Sequence, residues 1–159
     1  RQSILSAGTV LCCCCFGVCY PVLVTHRLRC ADSECGVVLR IACDHSLAPH
    51  VGSDGLHWPE SKLAESQIWR RKFALQTSSA HSPAAIRRAA RSGMDAVLFS
   101  VVFPSNSPSA SCSLGSHRFR AIAQAADLPV YALGGVTAEN AEQVASHAGL
   151  AAIEGLIPN

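Results

Sequence analysis

The sequence predicts an α/β protein in which short strands and helices alternate around a parallel sheet. From Val37 onward, brief apolar runs alternate with amphipathic helical patterns, and this is the signature of repeated βα units. Apolar residues make up 49% of the chain and charged residues only 15%, so a packed core is expected rather than disorder. A chain of 159 residues is long enough for one domain with a sizeable core.

The first predicted βα units are short. Apolar, β-branched patterns predict strands at Val37–Cys43, Gly55–Trp58 and Phe73–Thr77. Helical spacing predicts a short helix over 46–51 and a longer one at Ser61–Trp69, with Leu63, Ile68 and Trp69 facing inward.

The clearest helix start in the chain is Ser82 followed by Pro83. Serine is a favoured helix cap, and proline fits the first helical position because no hydrogen bond is lost there. The helix is expected to continue through Ser92 and to end at Gly93, since glycine readily adopts the left-handed conformation.

A strand buried on both faces is predicted at Ala96–Phe103, because the run is apolar and β-branched. The serine- and proline-rich segment Pro104–Gly115 follows it and is long for a βα connection. Such loops are either functional or merely solvated, and both interpretations remain open. A helix is then predicted over 117–126.

The last units contain the most informative stretch, in which the strand Leu128–Leu133 runs into Gly134 and Gly135. Glycines expose backbone N–H groups that no Cβ covers, and Thr137 can cap the helix predicted over 137–147. Such groups at the carboxyl end of a parallel strand predict a phosphate cradle. A last strand is predicted over 150–153.

These strands number six from Val37 onward, which suggests an incomplete (β/α)₈ barrel. A closed barrel of this type normally takes about 200 to 250 residues, more than the chain offers. Residues 36–159 are therefore interpreted as the barrel region and residues 1–35 as a divergent N-terminal segment.

The N-terminal segment is apolar over residues 5–24 and includes four consecutive cysteines at 12–15. A signal peptide, a membrane anchor and buried strand or helix are the alternatives, and buried structure is favoured because glycines and a proline interrupt the run. The nine cysteines lack paired-ligand spacing, which favours free thiols in a reducing, cytoplasmic compartment.

A net charge of +2 with scattered arginines argues against nucleic-acid binding.

Four segments in register carry a resemblance to a known family. They are Gly52–His57, Ser79–Ser82, Val102–Ser105 and Ala132–Thr137. Their order and spacing resemble thiamine phosphate synthase and its relative the thiazole tautomerase, a (β/α)₈ superfamily of thiamine biosynthesis. The resemblance covers about residues 37–156 and implies that the predicted strands are the third to the eighth of the barrel.

The resemblance implies a magnesium ion that neutralises a departing pyrophosphate. Family members supply the metal with two acidic residues, and Asp44 matches the first of these positions. At the second position the chain has Lys62, which cannot coordinate a metal, although the neighbouring Glu60 is a possible substitute.

The resemblance also implies roles for polar residues after the fourth and later strands. Ser79 matches a serine of the substrate pocket, and His81 accompanies it, either in catalysis or as a cap of the following helix. Ser105 and Ser107 match hydroxyls that hold phosphate oxygens, whereas the lysine of that pattern is replaced by Pro108. Gly134 and Gly135 match the phosphate cradle.

The expected function is therefore transfer chemistry in thiamine biosynthesis, joining hydroxymethylpyrimidine diphosphate to thiazole phosphate. The alternative is a catalytically degenerate barrel that binds a phosphorylated ligand or acts as a regulator. Lys62 and Pro108 suggest it, and so does Glu154, which places a carboxylate where the resemblance implies a small residue of the phosphate cradle. A membrane-tethered protein is a third, less favoured class. Small phosphorylated molecules are the expected partners, and a homo-oligomer is possible because an incomplete barrel exposes sheet edges.

Overall fold

The computed structural model describes residues 23–27, 37–42, 46, 48–50, 52–70, 72–105 and 112–151. Its strands are β1 (Leu23–Arg27), β2 (Val37–Ala42), β3 (Gly55–Trp58), β4 (Leu75–Ala80), β5 (Ala96–Phe99), β6 (Val130–Ala132) and β7 (Gly149–Leu150). Its α-helices are α1 (Ser66–Trp69), α2 (Pro83–Arg91), α3 (Ser116–Gln124) and α4 (Glu142–Ala145), and a 3₁₀ helix, Glu60–Glu65, precedes α1.

The strands form one seven-stranded sheet in the order of the sequence, β1 to β7. From β2 to β7 every neighbouring pair is parallel, as the repeated βα pattern predicts. β1 is different, because it pairs antiparallel with β2 and places Leu23 opposite Ile41. All six parallel strands therefore end at the same edge of the sheet, the carboxyl rim.

One face of the sheet packs against the helices and holds the main core. Phe99 of β5 and Phe119 of α3 lie with their ring centroids 6.0 Å apart, and Ile86 of α2 joins the same buried cluster. The neighbouring Leu98 is also buried but lies outside that cluster. Because side chains alternate along a strand, Leu98 and Phe99 face opposite sides, and both sides of the central strands are covered.

The helix α2 forms where the sequence predicts it. The hydroxyl oxygen of Ser82 accepts a hydrogen bond from the amide of Ala85 at 3.1 Å, and Pro83 occupies the first turn. Gly93 follows the helix with a φ of +74°. The prediction is therefore confirmed at both ends of the helix. It could be made from the sequence because both signals involve only a few consecutive residues.

Two helical predictions in the first half are wrong in detail. The described residues of the segment 46–51 form turns, not a helix. The segment predicted as one helix over 61–69 begins as a 3₁₀ helix and becomes α-helical only at Ser66. Leu63 is buried as expected, but Ile68 is 72% exposed, because the tighter 3₁₀ turn changes the direction of every later side chain.

Several element boundaries also differ from the prediction. β4 begins two residues later than predicted and continues to Ala80, and β5 ends at Phe99 instead of 103. The helix predicted over 137–147 is mostly turn, with α-helix only at Glu142–Ala145. β7 comprises Gly149–Leu150, and most of the strand predicted over 150–153 lies outside the described residues.

The α/β class and the parallel, barrel-type strand order are confirmed. In the part of the chain that the structure describes, β1 and β7 are the two edges of the sheet and do not pair with each other. The segment 1–35 falls outside the described residues except for β1. No helix among the described residues is long and apolar enough to cross a membrane.

Candidate functional site

The candidate residues that the structure describes lie at the carboxyl rim. Ser79 is the penultimate residue of β4, and His81 follows that strand directly. Ser105 follows β5 by six residues, and Gly134 and Gly135 come just after β6. Asp44 and Ser107 lie outside the described residues.

A row of polar side chains crosses β3 and β4 on the face turned away from the helices. Nδ1 of His57 lies 2.9 Å from the Thr77 hydroxyl, and Nε2 lies 3.0 Å from the Ser79 hydroxyl. His57 is 2% exposed and Thr77 is 1% exposed, whereas Ser79 is half-buried. The row therefore starts inside the protein and ends at a hydroxyl near the rim.

The chemistry of this row follows from what each group can donate and accept. A neutral imidazole has one N–H donor and one acceptor nitrogen, whereas a hydroxyl is both donor and acceptor. When His57 donates from Nε2 to the Ser79 oxygen, the Ser79 O–H is left for an external acceptor such as a phosphate oxygen. In that tautomer, the row fixes the position of Ser79 and leaves its proton for a ligand.

Sequence reasoning gave His57 no role of its own, although the residue lies in the segment that carries the family resemblance. The register pairs His57 with Thr77 and places Ser79 two residues further along the same strand. The available signal was that Thr77 and Ser79, at i and i+2, place two hydroxyl groups on one face of the strand. Its meaning depends on the register, which the sequence does not reveal.

Gly134 and Gly135 adopt positive φ values of +88° and +64°. A Cβ on Gly135 would lie 2.2 Å from the carbonyl oxygen of Pro104, so only glycine fits against this neighbouring loop. Among the described residues, neither glycine amide donates a hydrogen bond. The pair is half-buried, and it brings the residues after β6 next to Pro104 and thus to Ser105.

The segment after the glycines is held by Asn140 rather than by a capping threonine. The Asn140 side chain accepts from the Thr137 amide at 2.9 Å and donates to the Gly135 carbonyl at 2.7 Å. The expectation that Thr137 caps the next helix is wrong, since α4 begins later and has no side-chain cap. The Thr137 side chain instead donates a hydrogen bond to Glu139, which lowers the pKa of that carboxyl group.

His81 is exposed, and its ring is anchored to the end of β5. Nδ1 lies 3.0 Å from the Ser100 carbonyl oxygen and 3.1 Å from the Ser100 hydroxyl. His81 does not cap α2, because the Ser82 hydroxyl does so. The alternative in which His81 serves as the helix cap is therefore not what the structure shows.

The described residues do not assemble a magnesium site. No group of three His, Cys, Asp or Glu residues in the described part of the chain is arranged to hold a metal ion. The carboxylate of Glu60, the possible substitute at the second position, is paired with Arg88 and with the His81 amide. Lys62 lies in the same 3₁₀ helix and is half-buried.

Two described cavities lie away from the candidate residues. One, of about 310 Å³, lies between α2 and α3 and is lined mainly by alanines and isoleucines. The other, of about 450 Å³, is lined by Ser53, Asp54, Phe73 and Ala74, which precede β3 and β4. Both are therefore distinct from the carboxyl rim.

Together, the parallel strand order and the hydroxyl and amide groups at the rim define a protein of the βα-barrel class with a candidate anion site. The arrangement matches the general location of sites in such folds, which lie where the strands end. Comparison with known proteins then identifies the family.

The family model described as thiamine monophosphate synthase matches residues 24–156. The chain belongs to this family. It is 30% identical over 117 residues to a provisionally named thiamine-phosphate synthase 2 of Aquifex aeolicus, with 73% of this chain and 63% of that protein covered. It is 31% identical over 102 residues to the thiamine-phosphate synthase of Methanobrevibacter smithii, with 62% of this chain and 48% of that protein covered.

The fold comparison agrees with the sequence comparison. The thiamine phosphate pyrophosphorylase structure from Pyrococcus furiosus superposes with a TM-score of 0.59 at 21% identity, covering 72% of this chain and 55% of that one. At this identity the match supports the fold alone. The chain spans about half to two thirds of the length of these relatives.

Proposed function

We propose that the chain acts in thiamine biosynthesis by binding a phosphorylated substrate at its carboxyl rim, in the manner of a thiamine phosphate synthase. The observation that carries the proposal is the His57–Ser79 contact at 3.0 Å, which holds a hydroxyl donor near the rim. The backbone N–H groups of Gly134 and Gly135 donate no hydrogen bond within the described residues, so they are further groups suited to binding an anion. Family membership supplies the pathway, and the geometry supports the ligand class.

In the proposed reaction, hydroxymethylpyrimidine diphosphate loses pyrophosphate and the nitrogen of thiazole phosphate attacks the resulting cation. Ser79, Ser105, Ser107 and the two glycine amides would bind the phosphate oxygens. His81 would contribute a ring nitrogen at the same edge. Asp44 is proposed as a magnesium ligand, and a cytoplasmic location is proposed from the free-thiol interpretation of the cysteines.

The second candidate is a phosphate-binding protein that does not catalyse the condensation. Two observations favour it. The Glu60 carboxylate is already bonded through both oxygens, and a half-buried lysine, Lys62, occupies the position at which the family resemblance implies a second acidic ligand. A lysine next to a phosphate supplies positive charge directly, which would lessen the dependence of binding on magnesium.

Isothermal titration with thiazole phosphate, with and without magnesium, tests the proposal. The proposal expects binding that Ser79→Ala weakens and that the neighbouring Ser78→Ala does not. A turnover assay with both substrates then separates the two candidates, because only the synthase produces thiamine phosphate. Absence of binding under both metal conditions would refute the proposal for both candidates.

A further inference from the structure

Glu60 connects three segments of the carboxyl rim. It opens the 3₁₀ helix just after β3, and its Oε2 atom accepts a hydrogen bond from the His81 amide at 3.0 Å. Its Oε1 atom pairs with the Arg88 guanidinium of α2 at 2.5 Å. The Glu60 side chain is only 25% exposed, whereas that of Arg88 is 53% exposed. Glu60, the less solvent-exposed residue of the ion pair, is therefore the one that contacts His81.

The ring of His81 is fixed independently by Ser100. A carbonyl oxygen only accepts hydrogen bonds, so a hydrogen bond from Nδ1 to the Ser100 carbonyl at 3.0 Å places the proton on Nδ1, and the Ser100 hydroxyl at 3.1 Å is then a second acceptor for the same N–H. In the neutral ring the lone pair is then on Nε2. Ser100 is 8% exposed, and its amide donates to the Ala80 carbonyl at 3.1 Å. This anchor belongs to the buried sheet and not to a surface loop.

His81 is thus held twice, by its amide through Glu60 and by its ring through Ser100. The two restraints act on different atoms, and together they fix both the backbone position and the ring orientation. A charged acceptor makes the amide hydrogen bond stronger than a neutral one. An exposed ion pair by itself contributes little to stability, so the main effect of Glu60–Arg88 is expected on His81.

We propose that Glu60 and Arg88 are positioning residues that hold His81 with Nε2 as the ring atom available to a ligand. Arg88 orients the Glu60 carboxylate, Glu60 fixes the His81 backbone, and Ser100 selects the tautomer. The use of Nε2 on a phosphorylated substrate rests on the proposed function. The tautomer and its dependence on Glu60 hold for the free protein.

The test compares Glu60→Ala, Glu60→Gln and Arg88→Gln with the matched control Glu65→Gln, an exposed glutamate in the same 3₁₀ helix. The ¹⁵N chemical shifts of the His81 ring are measured in the ligand-free protein. The wild type and the control should show protonated Nδ1. Glu60→Ala should shift the tautomer ratio toward that of free histidine. Glu60→Gln should shift it less, because its amide oxygen still accepts from His81.

The charge-exchanged variant Glu60→Arg with Arg88→Glu separates positioning from a simple ion pair. This variant restores opposite charges but places no acceptor at position 60 for the His81 amide. The proposal expects the His81 tautomer to remain disturbed. Recovery of the wild-type shifts in this variant, or unchanged shifts in Glu60→Ala, would overturn the proposal.

A binding measurement connects the pair to the substrate. Glu60→Ala should weaken thiazole phosphate binding about fivefold, the effect of one hydrogen bond, and should add nothing further in a His81→Ala background. An equal loss in both backgrounds would contradict action through His81. If wild-type binding itself is absent, the proposed function fails, and the ¹⁵N shifts still decide the positioning role.

Discussion

The Nε2 atom of His57 lies 3.0 Å from the hydroxyl oxygen of Ser79, and this contact joins two neighbouring parallel strands on the face away from the helices. The other ring nitrogen contacts Thr77, so His57 is bonded on both sides. In the proposed site, the buried histidine would support the serine, and the half-buried Ser79 hydroxyl would meet the ligand.

Ser79→Ala is expected to weaken binding of thiazole phosphate about tenfold, since a hydrogen bond to a charged group contributes about 1.5 kcal/mol or more. Titration calorimetry measures the loss. Ser78→Ala is the matched control, because the adjacent side chain on a strand points to the other face. Equal losses in both variants would show that the effect is structural rather than local to Ser79.

His57→Asn should weaken binding less when Ser79 is already alanine. Among the described residues, the His57 ring hydrogen-bonds Thr77 and Ser79, and only Ser79 belongs to the proposed ligand site, so the two substitutions should be strongly non-additive. A double-mutant cycle of dissociation constants checks this. Fully additive effects would mean that His57 acts on the ligand by another route.

Ser78→Ala is expected to raise the free energy of unfolding by about 1 kcal/mol, because removing a buried hydroxyl without a partner relieves its desolvation cost. Ser78 is fully buried, and its hydroxyl has no hydrogen-bond partner among the residues that the structure describes. Thr77→Val, which removes a bonded hydroxyl next to His57, should instead lower stability by about 1 to 2 kcal/mol. Urea unfolding measures both, and a loss of stability in Ser78→Ala would contradict the interpretation.

Gly135→Ala should destabilise the protein by about 3 kcal/mol, the sum of a left-handed backbone and overpacking. The added Cβ would lie 2.2 Å from the Pro104 carbonyl oxygen. Gly52→Ala is the control, since its φ of +62° is almost the same as the +64° of Gly135, but nothing lies within 4 Å of the added Cβ. The control should cost about 1 kcal/mol. Similar losses in denaturant unfolding would show that close packing at Gly135 is unimportant.

The pKa of Glu139 is lowered chiefly by the hydrogen bond from Thr137. A glutamate with a lowered pKa in the folded state stabilises the protein above its unfolded pKa, and this contribution disappears as the pH falls through the folded pKa. Thr137→Val should therefore raise the pKa of Glu139. The contribution of Glu139 to the loss of stability at acidic pH should become smaller as a result. Carboxyl ¹³C titration by NMR measures the shift, with Glu142 as an internal control. An unchanged Glu139 pKa in the variant would contradict this cause.

The sequence by itself determined the features that depend on nearby residues. Ser82 and Pro83 start α2 because a cap and a first turn involve only a few consecutive positions, and the apolar runs place the parallel strands because burial on both faces requires them. The four segments in register also led to the family, which the comparison confirms over residues 24–156.

Only the tertiary structure decided which side chains meet. The pairing of His57 with Ser79 requires the register between β3 and β4, and Glu60 reaches His81 and Arg88 across 21 and 28 residues of sequence. The 3₁₀ start of the helix that exposes Ile68, and the close approach of Gly135 to Pro104, are likewise set by packing. Local conformational preferences amount to fractions of a kcal/mol per residue, so contacts between distant segments can override them. Those contacts are set by the whole fold.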